Sequence, residues 1–196
     1  MKRWETLIND LQVENRLTIE DIPDLDLYMD QVIQLFERKF SGSKRHENEK
    51  VLTKTMINNY AKGDLFIPIK NKRYTRDHLM LISMIYQLKG ALSIKDIKQL
   101  LGELNDQITD DDFHLEDLYE SYLKLTETNA ERFKDNVLAC AEEVENEVGQ
   151  YEDDDNRDYL EQLLLACALV NMSNFYRRAA EKLVDDMAER HQERDQ

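Results

Sequence analysis

The chain has 196 residues, a formal net charge of −15, 41% hydrophobic and 34% charged residues, and only 5 Gly and 2 Pro. That length is enough for one large or two small domains, and the scarcity of Gly and Pro favours a soluble, helix-rich protein. The acidic balance excludes general coating of nucleic acid or of anionic membranes. It still permits specific binding by one basic face, because salt confines the field of each charge to roughly 10 Å.

The lack of a targeting signal or a membrane-spanning run, together with the cysteine usage, predicts a cytoplasmic protein with no membrane association. The longest apolar run, residues 163–170, is far shorter than the ~20 residues that span a bilayer. The N-terminal residues MKRWETLINDLQ lack the apolar region of a signal peptide. Cys140 and Cys167 lie in apolar helical patterns and are predicted to be reduced, buried thiols.

The N-terminal third predicts two helices and a loop. Apolar residues at helical spacing predict a short helix over residues 4–13, and Pro23 ends this segment. A second apolar stripe predicts a helix from Leu25 to Phe40, and the polar residues 41–50 form a loop. The second stripe consists of Leu25, Tyr28, Met29, Val32, Leu35, Phe36 and Phe40.

A basic island occupies residues 38–78, which contain 11 Lys or Arg and 4 Asp or Glu, whereas the rest of the chain carries −22. An excess of positive charge in an acidic chain indicates a local anionic partner, and double-stranded DNA is the first candidate. Within the island, Thr53 is a suitable N-cap and Gly63 a suitable C′ residue for a helix over residues 54–62. Its exposed Lys and Asn side chains are typical of base and phosphate contacts, although they also occur on ordinary solvated helices.

Residues 65–74 predict a small β-hairpin, since short β-prone runs flank Lys-Asn-Lys and Pro68 suits an edge strand. Thr75 then caps a helix, and Ser93 with Asp96 forms a capping-box-like start for the next one.

Residues 52–101 resemble the winged-helix DNA-binding domain of MerR-family transcription regulators. The matching segments are Leu52-Thr53, Ile57-Asn58-Asn59-Tyr60, Leu65-Phe66, Arg73-Tyr74, Leu88-Lys89 and Ile97-Lys98-Gln99-Leu100-Leu101. The resemblance implies a recognition helix, a β-hairpin wing and a homodimer formed through C-terminal helices. Three features depart from the family pattern: Asn58-Asn59 replaces Arg-Tyr, Asp64 replaces a glycine, and a longer first helix is followed by a ten-residue linker instead of a tight turn. The implied DNA contacts are Lys54, Thr55, Asn58, Asn59, Lys62, Lys70, Lys72 and Arg73.

Three segments are also similar to a bacterial family, domain of unknown function 1836, which is typical of Firmicutes. They are residues 22–31 (IPDLDLYMDQ), 52–62 (LTKTMINNYAK) and 92–97 (LSIKDI). This resemblance implies a bacterial source and no assigned activity.

The C-terminal half predicts two long helices joined by the acidic turn 149–156, and therefore an antiparallel helical hairpin. The middle of the second helix, residues 163–172, is apolar almost all round, so a dimer partner or the first domain is expected to cover it. Tyr119, Tyr122, Asn171 and Asn174 could line a ligand pocket or form hydrogen bonds across a helix interface, and we favour the interface.

No catalytic or metal-binding motif occurs in the chain, and we predict no cofactor, no metal and no enzymatic activity. The four histidines follow no ligand spacing. The triplets Asp110–Asp112 and Asp153–Asp155 are interpreted as helix-start charge rather than as cation sites.

The sequence thus predicts a mainly α protein in three parts. These are a helical arm (1–22), a MerR-like winged helix-turn-helix with a small β-hairpin wing (23–104), and a long antiparallel α-helical hairpin for dimerisation or sensing (105–196). The predicted function is DNA-binding transcriptional regulation. The alternatives are a protein-interaction adaptor that does not bind DNA, and a small-molecule sensor that uses the helical domain.

Overall fold

The computed structural model describes residues 2–110, 113–150 and 156–194, and these residues form helices and loops. The predicted mainly α class is therefore confirmed. A 3-10 turn at Ser41–Ser43 follows the second helix. The helices are α1 (Lys2–Asp10), α2 (Met29–Phe40), α3 (Lys54–Lys62), α4 (Arg76–Leu88), α5 (Ile94–Thr109), α6 (Leu115–Val148) and α7 (Arg157–Arg194).

The predicted winged helix with a β-hairpin wing is wrong, because no strand occurs in the part of the chain that the structure describes. Only two isolated antiparallel bridges are present there, Lys70 with Arg73 and Leu27 with Tyr74. Tyr74 exchanges both backbone hydrogen bonds with Leu27, at 2.8 and 2.9 Å, and so does not extend the hairpin. In addition, Pro68 has no N–H to donate and the Ile67 carbonyl is bonded to the His78 ring. A ladder therefore cannot continue beyond the turn.

The described residues divide into two compact units, each of which contains segments that are distant in sequence. The larger unit draws on Asn15–Lys124 and Ala180–Gln196, and the smaller unit draws on Met1–Glu14 and Leu125–Ala179. Helices α6 and α7 therefore each contribute to both units.

The core of the larger unit joins α2, α3, α4 and α5 to the first turns of α6 and to Val184 of α7. Tyr119 of α6 is fully buried, and its hydroxyl donates a 2.7 Å hydrogen bond to the Leu17 carbonyl. Burial raises the pKa of Tyr122, the next residue on that face, to about 12. Both tyrosines thus belong to the packing of this unit.

The core of the smaller unit is built around Trp4 of α1. Trp4 is 4% exposed, and its indole Nε1–H donates a 3.1 Å hydrogen bond to the Glu145 carboxylate. It packs in one apolar cluster with Ala141, Val144 and Val148 of α6 and with Leu165 of α7.

The middle of α7 is exposed in the smaller unit. Val170 and Phe175 are 61% and 54% exposed, and Asn171 and Asn174 also face solvent. The prediction of two buried thiols is wrong, because Cys140 is half-buried and Cys167 is exposed. No helix of the described residues is both long enough and apolar enough to cross a membrane.

Candidate nucleic-acid interface

Helix α3 presents a polar face and buries an apolar one. Thr53 caps its N-terminus, since the side-chain hydroxyl accepts a 3.1 Å hydrogen bond from the Met56 N–H. Ile57 and Tyr60 are buried in the core of the larger unit. The structure places all five predicted contact residues of this helix in solvent: Lys54, Thr55, Asn58, Asn59 and Lys62. Whether they contact DNA stays a prediction.

The end of α3 differs from the sequence-based assignment. Gly63 keeps a right-handed conformation, and Asp64 takes the left-handed position with φ 54°. The Leu65 N–H donates to the Tyr60 carbonyl (3.0 Å) and the Asp64 N–H to the Ala61 carbonyl (3.2 Å), which is the Schellman pattern. Asp64 is therefore the C′ residue that Gly63 was predicted to be.

The carboxylate of Asp64 is held by an ion pair with Lys98 of α5, with Nζ and Oδ2 3.0 Å apart. Both side chains are largely exposed, so this pair contributes little stability. It nevertheless neutralises a negative charge at the end of the candidate recognition helix.

Residues 70–73 form a tight turn, here called the basic turn. Its central residues, Asn71 and Lys72, both have left-handed conformations, with φ 53° and 57°, and the Arg73 N–H donates to the Lys70 carbonyl at 3.0 Å. This is the type I′ geometry, in which Lys is unusual at the second central position. Lys70 and Lys72 are exposed.

Arg73 has a structural role beside the basic turn. Its guanidinium carbon lies 4.1 Å from the centre of the Tyr28 ring, and Nη1 donates a 3.3 Å hydrogen bond to the Asp26 carbonyl. These contacts orient the side chain against the residues that precede α2. Arg73 is therefore fixed, whereas the two lysines of the turn project into solvent.

The cations of the basic island fall into two groups. One group is neutralised within the protein, including Lys39 by Asp21 (2.5 Å), Lys54 by Asp30 (2.7 Å) and Arg76 by Asp24 (2.8 Å). Lys44 is likewise paired with Glu37. The other group has no ion pair among the described residues, and its members are Arg38, Arg45, Lys50, Lys62, Lys70, Lys72 and Arg73.

His78 is a buried polar residue that joins the start of α4 to residues 66–75, and its role was not predicted from the sequence. It is 2% exposed, and its ring lies against the rings of Phe66 and Tyr74 at centroid distances of 5.7 and 5.8 Å. Its Nδ1 accepts from the Thr75 N–H at 3.1 Å, so Nε2 carries the proton and donates to the Ile67 carbonyl at 3.2 Å. The Thr-x-x-His spacing at the start of α4, equivalent to a capping box, was the available signal.

A groove of about 970 Å³ separates residues 61–69 from α5. Its apolar wall includes Phe66 and Ile67, and its polar wall includes Asn105 and Asp106. The buried Oδ1 of Asn105 has no hydrogen-bond partner among the described residues. The groove lies within the larger unit, and its lining residues belong to 61–69 and α5 rather than to the long helices that the small-molecule sensor alternative would use.

The acidic triplets add no described site. Asp111 and Asp112, and likewise Asp153, Asp154 and Asp155, lie outside the described residues. Within the described ranges, no group of three or more His, Cys, Asp or Glu side chains is arranged to hold a metal ion.

Residues 17–122, more than half of the chain, match the family described as Domain of unknown function (DUF1836). The chain belongs to the DUF1836 family. The resemblance to this family inferred from the sequence is therefore confirmed. Helix α3, the basic turn and His78 all lie within the DUF1836 region, whereas the exposed part of α7 lies outside it. No curated protein and no solved structure matches the chain.

Proposed function

We propose that this DUF1836 protein is a DNA-binding transcriptional regulator that contacts double-stranded DNA through α3 and the basic turn. One observation carries the proposal. Lys62, Lys70 and Lys72 are exposed on α3 and the basic turn and form no ion pair among the described residues, whereas Lys39, Lys54 and Arg76 are neutralised internally. Phosphates of DNA are the polyanion that such cations attract, with release of counterions on binding.

The two elements have different roles in this proposal. Asn58 and Asn59 on α3 are the candidate base readers, because an Asn amide forms two hydrogen bonds with adenine in the major groove. The lysines of the basic turn are the candidate phosphate contacts, which position the protein without reading sequence. A non-enzymatic function follows, since recognition requires no catalytic group.

Acidic side chains beside α3 limit the affinity. Asp30 pairs with Lys54, and Asp64 lies at the end of the helix and pairs with Lys98. DNA phosphates must compete with these carboxylates for the lysines. We therefore expect DNA binding that depends strongly on the salt concentration. Binding to DNA that lacks the preferred sequence is expected to be weak.

A homodimer formed through the C-terminal helices completes the proposal. A second copy supplies a second α3 and a second basic turn, so that a pair of half-sites is read. The exposed apolar residues of α7 support this association, because contiguous exposed apolar surface usually marks an interaction site.

Selection of genomic DNA fragments by the purified full chain at low salt tests the proposal. We expect enrichment of a discrete set of fragments. The double variant Lys70→Ala/Lys72→Ala is expected to weaken binding to all fragments, and to lower the slope of log affinity against log salt by about 2. Asn58→Ala is expected to relax base preference at one position of the site, with a cost of roughly 1–3 kcal/mol on the preferred sequence.

The control for a general loss of positive charge is Lys124→Ala/Lys182→Ala, which removes two exposed lysines from α6 and α7, of which Lys182 pairs with Asp186 at 2.6 Å, and leaves the candidate interface intact. If no fragment is enriched, or if the control lowers the salt slope as much as the basic-turn variant, DNA binding through this surface is ruled out. The adaptor that does not bind DNA would then be the better assignment.

A further inference from the structure

A single antiparallel bridge joins the residues that precede α2 to the end of the basic turn. Leu27 and Tyr74 exchange both backbone hydrogen bonds, at 2.9 and 2.8 Å. In antiparallel pairing, the residue after one partner lies opposite the residue before the other, so Tyr28 lies opposite Arg73. Leu27 and Tyr74 are 7% and 2% exposed, and side chains alternate between the two faces of such a pair. Tyr28 and Arg73 therefore form a cross-strand pair on the solvent side.

This pair holds the Arg73 guanidinium in a defined place. The guanidinium carbon lies 4.1 Å from the centre of the Tyr28 ring, and Nη1 donates a 3.3 Å hydrogen bond to the Asp26 carbonyl. That bond uses one of the five N–H donors of an arginine, and no other hydrogen bond from this guanidinium occurs among the described residues. The N–H groups lie in the guanidinium plane, so the stacked ring does not block them.

Both groups that hold Arg73 are uncharged, although carboxylates are close in sequence. Three aspartates of residues 21–30 each pair with a different cation of the basic island. Asp26, by contrast, offers Arg73 its backbone carbonyl rather than its carboxylate. The fold thus fixes the position of Arg73 and supplies no ion pair to it within the described part of the chain. An arginine held in this way remains available to an external oxyanion and loses little conformational entropy on binding it.

The surroundings of Arg73 favour a phosphate of DNA as that oxyanion. Lys70 and Lys72 of the same turn are exposed and add positive charge beside the guanidinium. Asp30, two residues after Tyr28, pairs with Lys54 at 2.7 Å, which places the start of α2 next to the start of α3. The cation cluster is therefore near the candidate recognition helix, where a duplex bound by α3 presents its phosphates.

We propose that Arg73 binds a backbone phosphate of double-stranded DNA, and that Tyr28 is a positioning residue that presents its guanidinium. The inference deepens the proposed function, on which it rests, and adds a residue outside α3 and the basic turn. Tyr28 acts through the face of its ring, since its backbone N–H is bonded separately to the Gln31 side chain at 2.8 Å. Leu27, Tyr74 and the buried residues of α3 share one core, so this contact sets the register of α3 on the duplex.

The first test measures binding of the full chain to a mixed-sequence DNA duplex by fluorescence anisotropy at several low salt concentrations. Mixed sequence is sufficient, because phosphate contacts do not depend on sequence. We expect Arg73→Ala to weaken binding roughly tenfold and to lower the slope of log affinity against log salt by about 1. Tyr28→Leu keeps every cation and is expected to weaken binding roughly threefold to tenfold. Tyr28→Phe, which keeps the ring, is the matched control and should bind as the wild type does.

A double variant separates positioning from a general structural role. If Tyr28 acts through Arg73, Tyr28→Leu/Arg73→Ala binds no more weakly than Arg73→Ala alone. A purely structural role of Tyr28 would lower the affinity by the same factor in both backgrounds. That result, or a salt slope left unchanged by Arg73→Ala, would overturn the inference.

Nuclear magnetic resonance tests the geometry in the free protein. The ring current of Tyr28 shifts the side-chain signals of Arg73, and this shift should persist in Tyr28→Phe and disappear in Tyr28→Leu. The Arg73 Nε–H signal should then move when the duplex is added, and not when inorganic phosphate is added at the same concentration of phosphate groups. Absence of the ring-current shift, or an equal response to inorganic phosphate, would contradict the proposal.

Failure of this inference is distinguishable from failure of the proposed function. If Lys70→Ala/Lys72→Ala weakens DNA binding while Arg73→Ala and Tyr28→Leu have no effect, the inference is wrong and the proposed function stands. A wild-type chain that binds no duplex at low salt would remove both.

Discussion

At the scale of single residues, His78 connects three segments of the larger unit with one neutral ring. Its Nδ1 accepts from the Thr75 N–H and also lies 2.7 Å from the Thr75 hydroxyl, while Nε2–H donates to the Ile67 carbonyl. Protonation of Nδ1 would abolish its role as acceptor and place a charge between two aromatic rings. Burial accordingly lowers the pKa of His78 below its ordinary value of 6.5.

This shift predicts that the chain loses stability as the pH falls below 6.5. In that range the unfolded chain binds a proton that the folded chain does not, so the free energy of unfolding decreases with decreasing pH. His78→Gln retains an acceptor for the Thr75 N–H but does not titrate, and we expect its urea midpoint to be lower at pH 7.5 and less dependent on pH between 7.5 and 5.5.

His46→Gln serves as the control, because His46 is exposed. Its urea midpoint should follow that of the wild type. Burial raises the pKa of Asp77, which opposes the effect of His78, and this carboxyl is present in all three proteins. If the urea midpoint of the wild type depends on pH no more than that of His78→Gln, the assigned protonation state is contradicted.

Asp64 is the second residue of interest, because its backbone conformation and its side-chain charge can be tested separately. Its left-handed backbone is tolerated by Asn, and its carboxylate pairs with Lys98 beside the candidate interface. We predict that Asp64→Asn leaves stability within about 1 kcal/mol and tightens DNA binding roughly threefold to tenfold, because a repulsive charge is lost and Lys98 is released.

Fluorescence anisotropy with a selected DNA fragment measures this change. Asp135→Asn, an exposed position on α6 outside the candidate interface, is the matched control and should have no effect. Unchanged or weaker binding by Asp64→Asn would argue that the end of α3 does not approach DNA.

At the scale of elements, the basic turn combines backbone strain with positive charge. A Lys at φ 57° adopts a conformation that costs roughly 1–2 kcal/mol for residues other than Gly. Strain of this kind is often retained where a side chain serves a function. One substitution tests both properties. Removing the Lys72 side chain relieves the strain, which stabilises the fold, and removes the charge, which weakens DNA binding.

Lys72→Gly is predicted to raise the free energy of unfolding by up to about 1 kcal/mol and to weaken DNA binding roughly tenfold. Asn71→Gly is the matched control, because it places Gly at the other left-handed position of the turn, with φ 53°, without removing a cation. Urea unfolding and anisotropy titration measure the two effects. A Lys72→Gly variant that binds DNA as tightly as Asn71→Gly would exclude the turn from the interface.

At the scale of the whole molecule, the smaller unit depends on an N-terminal helix that is more than 100 residues away in sequence from its partners. Trp4 is the only Trp in the chain, so its fluorescence reports on this unit alone. Trp4→Ala removes a buried indole and its hydrogen bond to Glu145, and we expect a loss of about 3–5 kcal/mol in that unit.

Hydrogen exchange followed by mass spectrometry tests this expectation. Protection of the amides of residues 137–148 should fall in Trp4→Ala, whereas the amides of α4 should be unaffected. Leu7→Ala, on the same helix but 39% exposed, should leave both sets unchanged. Equal protection of residues 137–148 in all three proteins would show that α1 contributes no stability there.

Local signals in the sequence were sufficient for the helical class and for helix α3. Helix α3 begins after Thr53 and ends at Lys62 as predicted, because an N-cap and a short apolar repeat act over only a few residues. The exposure of its Lys and Asn residues follows from the same repeat. Membership of the DUF1836 family was likewise predicted from short motifs and is confirmed.

The sequence by itself therefore determined the helical class, the bounds of α3 and its polar face, whereas α2 begins at Met29 and not at Leu25 as predicted. The tertiary structure alone decided that Tyr74 pairs with Leu27 instead of completing a hairpin, that Asp64 rather than Gly63 takes the left-handed position, and that Trp4 packs on α6. The physical reason is that helical hydrogen bonds link residues four apart. Strand pairing and core contacts instead depend on which distant groups the folded chain brings together, and no local pattern specifies these partners.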